Sequence, residues 1–472
     1  MDIVIDISSI QNFFNQRIDI ILWQIFWWTA WMPFAYAFFT GAKMFWFDYV
    51  WGQYASTQKK VLIAIDIPKG NEQSPKAVES IFAYFAGGHT MINMFERWWQ
   101  GKYQPSMSLE IVSIEGYTQF IIYVPSQGRD FIESAIYSQY PDAEITEIED
   151  YTKNLPTKFP DDIYDLWGGE WRYRNREDIY PMKTYKDFEH TTMEGVEYKD
   201  TMANLMDLYS TLGKDEQLWM QIIIRAREVM DQEFIEAGEK EVRTILGEEK
   251  KQPYFMMRVW LAISKSVGFL FGFWKDILDE SEEDPWKMYN LKPKEKKQIE
   301  AIQEKASKIG FDTKIRTVYI AKKDVFRKPF MGVTGFFKQF SDPDLNSIGP
   351  DMDKTIVTAN YFSRQKRLNQ RKTKIIDYYI SRDPDMGRNT QVMNIEELAS
   401  LWHFPLESAV KAPLIQKTVG KQAEPPMGLP VSEVEGRQRR TESKDIPRES
   451  SKLNETKLKP DQNKTPSNLP FV

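Results

Sequence analysis

The sequence contains no cysteine, and only three histidines, His89, His190 and His403, among its 472 residues. The first absence excludes disulfides, thiolate zinc sites, iron–sulfur clusters and a cysteine nucleophile, and it leaves the redox compartment open. The second leaves little to hold a metal, since the three histidines lie far apart and none stands in a ligand spacing such as HExxH. A P-loop is also missing. Gly213-Lys214 and Gly420-Lys421 are followed by Asp and Gln, so the GxxxxGK[ST] cradle of amides and lysine does not form. There is no GxSxG elbow and no GxGxxG. Acidic pairs such as Glu282-Glu283 read as surface charge. No catalytic, cofactor-binding or metal residue is therefore nominated, no cofactor is expected, and the chain is not expected to be an enzyme. Excess charge of one sign is lacking too. The net charge of −6 gives no global reason for nucleic-acid binding, while 28% charged and 14% aromatic residues describe a folded chain.

Charge is most conspicuously absent from Ile20 to Ala42, IILWQIFWWTAWMPFAYAFFTGA. At about 1.5 Å per residue this run matches a hydrocarbon core of roughly 30 Å. Trp23, Trp27, Trp28 and Trp31 lie towards one end, Pro33 falls mid-segment, and Trp46, Tyr49 and Trp51 follow the other end. Such rings favour the headgroup level. A cleaved signal peptide would start basic and end in small residues, whereas this chain starts MDIVIDISSI and shows no A-x-A site. The expectation is a single-pass transmembrane helix or deep interfacial anchor. Lys43, Lys59 and Lys60 outweigh Arg17 and place the body in the cytoplasm.

The body is expected to be α+β. Lys60–Ile67 reads as a strand, Pro75–Trp99 as helical, Leu109–Ile114 and Gln119–Val124 as a hairpin about Glu115-Gly116, Gly128–Tyr140 as a helix, and Ala143–Ile148 as a strand. This βαββαβ order is the ferredoxin-like split motif. In the second unit Trp167–Tyr173 and Tyr180–Tyr185 look extended, Thr201–Leu212 helical, Leu218–Ile224 a buried strand, Glu228–Leu246 and Lys294–Ile309 helical, Lys314–Ala321 a strand, and Val325–Phe340 a last helix. A second ferredoxin-like α/β domain with a helical insertion follows from that alternation. The resulting plan is an N-terminal segment 1–17, an anchor 18–51, a ferredoxin-like domain 60–151, a second domain 160–345 with an insertion at 253–278, a basic helix and short helix within 355–403, and a Pro-rich, largely disordered tail 405–472. The insertion carries VGFLFGFW and reads either as an interfacial amphipathic helix or as one packed on the body. Asn394, with Glu397 three residues on, reads as a helix cap.

One stretch is concentrated in base: Arg364, Lys366, Arg367, Arg371, Lys372 and Lys374. Charge runs are most often solvated helix faces. The functional reading is a contact for phosphates of DNA or of anionic lipid headgroups.

Several strings carry a resemblance: PKAVESIF, SLEIVSIEG, SQYPDAEITEIEDY, YPMKTYKDF, GKDEQLWMQIIIRA and NIEELASLWHFPLESAVKAPLIQKTVGKQAEPPMGLP. From about Lys60 to Pro430 the chain resembles the N-terminal, non-motor regions of conjugation-type DNA-transfer ATPases of the HerA/FtsK class, and stand-alone proteins without the motor. In the fused relatives the EPPMGLP string leads into a nucleotide-binding domain, but here it leads into a charged tail. The resemblance implies a non-catalytic scaffold or accessory component of a type IV secretion-like, conjugative DNA-transfer machine. Its expected partners are the lipid bilayer, a separate P-loop motor ATPase, DNA or anionic lipid at the basic stretch, and further copies of itself. The alternative is a membrane-tethered regulatory or ligand-sensing protein that uses its ferredoxin-like domain.

Overall fold

The charge-free N-terminal run folds as two helices, α1 (Ile18–Thr29) and α2 (Trp31–Thr57), which meet at Ala30. Pro33 supplies the break. It has no N–H for the Thr29 carbonyl, and its ring crowds that carbonyl, whereas in the first turn of a new helix it is tolerated. The single transmembrane helix expected over this run is therefore corrected: no helix among the described residues is long and apolar enough to cross a membrane. The computed structural model describes residues 17–67, 71, 73–153, 155–174, 177–192, 195–228, 231–247, 291–359, 363–406 and 421–422. All of them belong to one compact unit, Met1–Ala423, and the second unit, Glu424–Val472, lies outside the described residues.

The chain continues through β1 (Lys60–Asp66), α3 (Pro75–Ala86), α4 (Met94–Trp99), β2 (Ser106–Ile114), β3 (Tyr117–Pro125), α5 (Arg129–Gln139) and β4 (Glu144–Ile148). Gly87-Gly88 and the residues after them divide Pro75–Trp99 into α3 and α4, where the sequence suggested one helical stretch. Next come β5 (Tyr164–Tyr173), a 3-10 turn at Tyr185–Phe188, β6 (Glu189–Thr192), β7 (Gly195–Tyr198), α6 (Ala203–Ser210), β8 (Glu216–Ala226), α7 (Gln232–Ile245), α8 (Pro293–Ala306), β9 (Gly310–Lys322), α9 (Phe330–Lys338) and β10 (Ile348–Pro350). The extended reading of Tyr180–Tyr185 thus gives way to loop and 3-10 turn. The chain ends its described course with α10 (Arg364–Ser381), β11 (Gln391–Asn394), α11 (Ile395–Leu401) and β12 (Lys421–Gln422). The insertion 253–278 lies outside the described residues. In the expected tail 405–472, Lys421 and Gln422 pair with Glu147 and Thr146 of β4.

The fold is a mixture of helices with one antiparallel sheet in the order β10-β5-β9-β8-β2-β3-β1-β4-β12, with β11 on β9 and a separate β6-β7 ribbon. The order β4-β1-β3-β2, with helices in both crossovers, is a split βαββαβ arrangement. The order β10-β5-β9-β8 repeats it with different decorations. The two units are therefore not separate sheets. Their second strands, β2 and β8, pair antiparallel over nine residues from Ser106↔Arg225 to Ile114↔Gln217, which makes the sheet continuous.

Alternation divides the sheet into two faces. One carries Ile65, Phe120, Ile111, Met220, Trp171 and Ile315, and is covered by α3, α9 and α11; Phe82 meets Phe311 and Trp402, and Trp171 stacks on Phe337 at 4.3 Å. Asn394 and Glu397 form a capping box at the start of α11. Glu397 also takes the ammonium of Lys305 at 3.0 Å, with both side chains fully buried. The opposite face is covered at its centre by α10, through Ile375, Ile376 and Tyr379.

Candidate functional site

Two features stand out from this frame: an exposed aromatic surface on the N-terminal helices, and a buried polar row under α10. In α1 and α2, Trp23, Phe26, Trp27, Trp28, Trp31, Met32, Phe34, Tyr36, Phe38, Phe39, Met44, Phe45 and Tyr49 are each more than half exposed. Pro33 is exposed among them, and Trp46, at 38%, sits where the exposed part of α2 meets the body. Residues Phe34, Tyr36, Phe38 and Phe39 point in different directions around a helix, so the N-terminal part of α2 is apolar around its circumference rather than along one stripe. A side chain of this size covers about 150–250 Å², so the surface amounts to roughly a thousand Å² or more, well above the few hundred usual for a monomer.

The C-terminal part of α2 is fixed to the body by α4. The Trp46 indole donates to the Trp98 carbonyl at 2.7 Å and its ring meets Trp99 edge-on at 5.5 Å. Phe47 packs on Trp98 at 4.7 Å, and Tyr54 on Tyr103 at 5.4 Å. Gly101, at φ 66°, brings the chain so close that a Cβ there would lie 2.2 Å from the Val50 carbonyl oxygen. Beside this junction a cleft of about 310 Å³ runs between α2, the 88–107 segment and the start of α5, with Lys60 and Tyr103 in its wall. Burial pushes the Lys60 ammonium below its ordinary value, against the pull of Asp383.

The polar row follows from register. Glu110 pairs with Gln221, Gln221 with Arg316, and Arg316 with Glu170, so one polar residue from each of β2, β8, β9 and β5 lies in a single line across the joined halves. All four are buried. Arg382, which ends α10 at φ 52°, donates to Glu110 Oε1 at 2.8 Å and to Asp150 Oδ2 at 2.8 Å, and its guanidinium lies 4.6 Å from the Tyr123 ring centre. Burial works against the Arg382 charge, but Glu110 and Asp150 hold it above its ordinary value. Glu110 also accepts from Ser108, Tyr151 and Gln221. Arg316 bonds Glu170 at 3.1 Å and donates to the carbonyls of Tyr378, Asp383 and Met386. Lys314 donates to the carbonyls of Met386 and Arg388, and burial lowers it to about 8. Each group is committed to another group of this chain, and the loop 382–388 closes over them. The row is thus a fastening between halves, with no reacting group presented to solvent.

The basic stretch divides. Arg371 donates to the carbonyls of Ile356 at 3.0 Å and Asp353 at 2.8 Å, and Lys372 pairs with Asp165. These two anchor α10. Arg364, Lys366, Arg367 and Lys374 are exposed. His403 is buried and bridges the Ala399 carbonyl and Asp200. Among the described residues, no group of three or more His, Asp and Glu is placed to hold a metal ion.

The row was readable in principle as a charged or amide residue set among apolar neighbours in each of four strands, SLEIV, WMQII, KIRTV and GGEWR. What decides the family is the match of residues 56–416 to a domain of unknown function, DUF8128. The chain belongs to the DUF8128 family. The match begins at the end of α2, so the family region holds α4, the sheet from β1 to β11, the polar row and α10, while the aromatic helices precede it and β12 follows it. No curated protein matches the chain; the resemblance to DNA-transfer ATPases rests on the quoted strings.

Proposed function

We propose that the protein is a non-catalytic scaffold seated on a lipid bilayer, with α1 and α2 in the interfacial region and the fused sheet as a platform for other components. The carrying observation is the exposed apolar surface that surrounds α2. Rings of Trp and Tyr find the headgroup level favourable, and water does not. The two split βαββαβ halves are ferredoxin-like in strand order and form one rigid plate across the polar row. The string resemblance supports a place in a type IV secretion-like DNA-transfer machine beside a separate motor ATPase, with the body on the cytoplasmic side where Lys43, Lys59 and Lys60 flank the seat. A tethered ligand-sensing protein is the second reading, and the cleft lined by Lys60 and Tyr103 favours it.

The test is flotation of the full chain with liposomes, followed by affinity purification from native membranes. Binding to liposomes, its loss in Trp27→Gln/Trp28→Gln/Phe34→Gln/Phe38→Gln, and a co-purifying P-loop ATPase support the reading. A full chain that stays monomeric and lipid-free overturns the seat. Membrane purification without any motor partner overturns the transfer-machine assignment.

A further inference from the structure

The aromatic helices are not the sole exposed apolar surface near the junction. On the body itself Met91 is 83% exposed, and in α4 Met94 is 76%, Phe95 61% and Trp99 65% exposed. We propose that these four side chains form a second lipid contact, which enters the headgroup region of the same bilayer and fixes the orientation of the sheet against it. The inference rests on the reading of α1 and α2 as the bilayer seat.

Three observations carry it. The first is continuity: Trp99 meets Trp46 at 5.5 Å, and Tyr49, also exposed, stands close to Trp46 at 6.3 Å, so the surface runs unbroken from α2 onto α4. The second is rigidity. The Trp46 bond to the Trp98 carbonyl, the Phe47–Trp98 packing and the close approach at Gly101 prevent α4 from moving independently of α2. The capping box of Asn93 and Glu96 holds the helix start in place. A bilayer reached by the adjoining part of α2 is therefore met by the outer side of α4.

The third is charge. Glu96 is neutralised by Lys102 at 2.7 Å. Arg97 and Lys43 are exposed cations beside the apolar side chains, against one exposed carboxylate, Asp48, on α2, so the rim remains net positive and suited to anionic headgroups. Methionine and aromatic side chains also adapt to an irregular apolar surrounding, which a headgroup boundary presents.

The lack of cysteine provides a clean experiment. Met94→Cys in the full chain carries a single thiol for an environment-sensitive fluorophore. Met331→Cys, on α9 in the other half and 87% exposed, serves as the control. Vesicles of phosphatidylcholine and phosphatidylglycerol, with and without spin-labelled lipid, are the probe. The expected result is a blue shift and quenching at position 94 but not at 331. Met91→Ser/Met94→Ser/Phe95→Ser is expected to bind the vesicles roughly tenfold more weakly with unchanged circular dichroism, since its lost apolar contacts are the ones removed from water.

Vesicle-bound protein whose position-94 label stays water-exposed overturns the second contact while leaving the seat intact. Equal quenching at 94 and 331 overturns it as unspecific adsorption. A concentration-dependent blue shift without lipid overturns it in favour of contact between copies of the chain. Absence of binding by any form sinks the seat and the second contact together.

Discussion

Replacing Arg382 by methionine tests the idea that the end of α10 fastens the two halves. The substitution keeps much of the side chain's bulk but removes the guanidinium from Glu110 and Asp150. Asp150 is partly exposed and water can take over its charge, so its contribution is small. Glu110 is fully buried and loses its one ion-pair partner among the described residues. Orphaning a buried charge costs about 3–5 kcal/mol. Here Ser108, Tyr151 and Gln221 still donate to the carboxylate, which puts the loss at the lower end, about 3 kcal/mol.

A double-mutant cycle isolates the cause. Glu110→Gln placed on Arg382→Met removes the orphaned charge, so the double variant is expected to regain at least about 1 kcal/mol relative to the single one. Urea unfolding followed by tryptophan fluorescence reads this directly, because Trp219 packs on Tyr151 and Tyr379 beside the network. A loss below about 1 kcal/mol in Arg382→Met, or a double variant no more stable than the single one, refutes the fastening argument.

Three further outcomes follow from the same geometry. Burial opposes ionisation of Asp150, Asp342, Asp351 and Glu216, but Arg382, Lys297, Arg388 and Arg327 respectively hold each carboxyl below its ordinary value. Their contribution is complete above the unfolded range near 4 and is lost as pH falls through the lower folded values, so the urea midpoint is expected to fall below about pH 4 and to be flat above it as far as these groups govern. In the basic stretch, Arg371→Gln/Lys372→Gln is expected to lower the melting temperature. Arg364→Gln/Lys366→Gln/Lys374→Gln leaves it unchanged and, if α10 touches DNA, flattens the salt dependence of binding for any sequence; unchanged stability in the first pair contradicts the anchoring contacts. Gly101→Ala is expected to cost at least about 1–2 kcal/mol from its positive φ alone and to detach α4 from α2, read as faster proteolysis near Trp98–Trp99.

Much of the fold was legible because its strands are short apolar runs punctuated by Gly and Pro. The hairpin about Glu115-Gly116 forms as the turn chemistry suggested, with Glu115 at φ 54° and Gly116 at φ 87°, and the Asn394 cap forms with Glu397 as spacing suggested. The joining of the two halves was not legible. Pairing of β2 with β8 is a contact between residues more than a hundred positions apart, and neither strand announces its partner. Tyr180–Tyr185 misled for a similar reason: aromatic residues that favour strands are placed here by tertiary burial of Tyr180, Met182 and Tyr185 rather than by a ladder. At the N-terminus, Pro33 in mid-run suggests a kink within one spanning helix, whereas the run folds as two helices that meet at Ala30. The basic stretch was visible as composition, but only the fold shows that Arg371 and Lys372 are spent on backbone carbonyls and Asp165.

The two halves share a strand order and differ in what their connections carry, and the differences bear on function. In the first half the β2–β3 hairpin is tight, and the crossover from β1 to β2 holds the extra helix α4 that grips α2. In the second half the same crossover holds the β6–β7 ribbon, and the hairpin β8–β9 is opened by α7, α8 and the residues between them. Variation placed in connections leaves the ladders intact, so one half can carry a helix that grips α2 without disturbing the other. The cost of such a division is that force or motion at α2 must cross the β2–β8 boundary to reach the second half. The row Glu110–Gln221–Arg316–Glu170 crosses that boundary, and the loop after α10 binds its two ends through Arg382 and through the Arg388 amide on Glu170 at 2.9 Å. A twist between halves would therefore separate buried charges from their partners. The network's position at the boundary thus opposes such a twist, in addition to the nine-residue β2–β8 ladder.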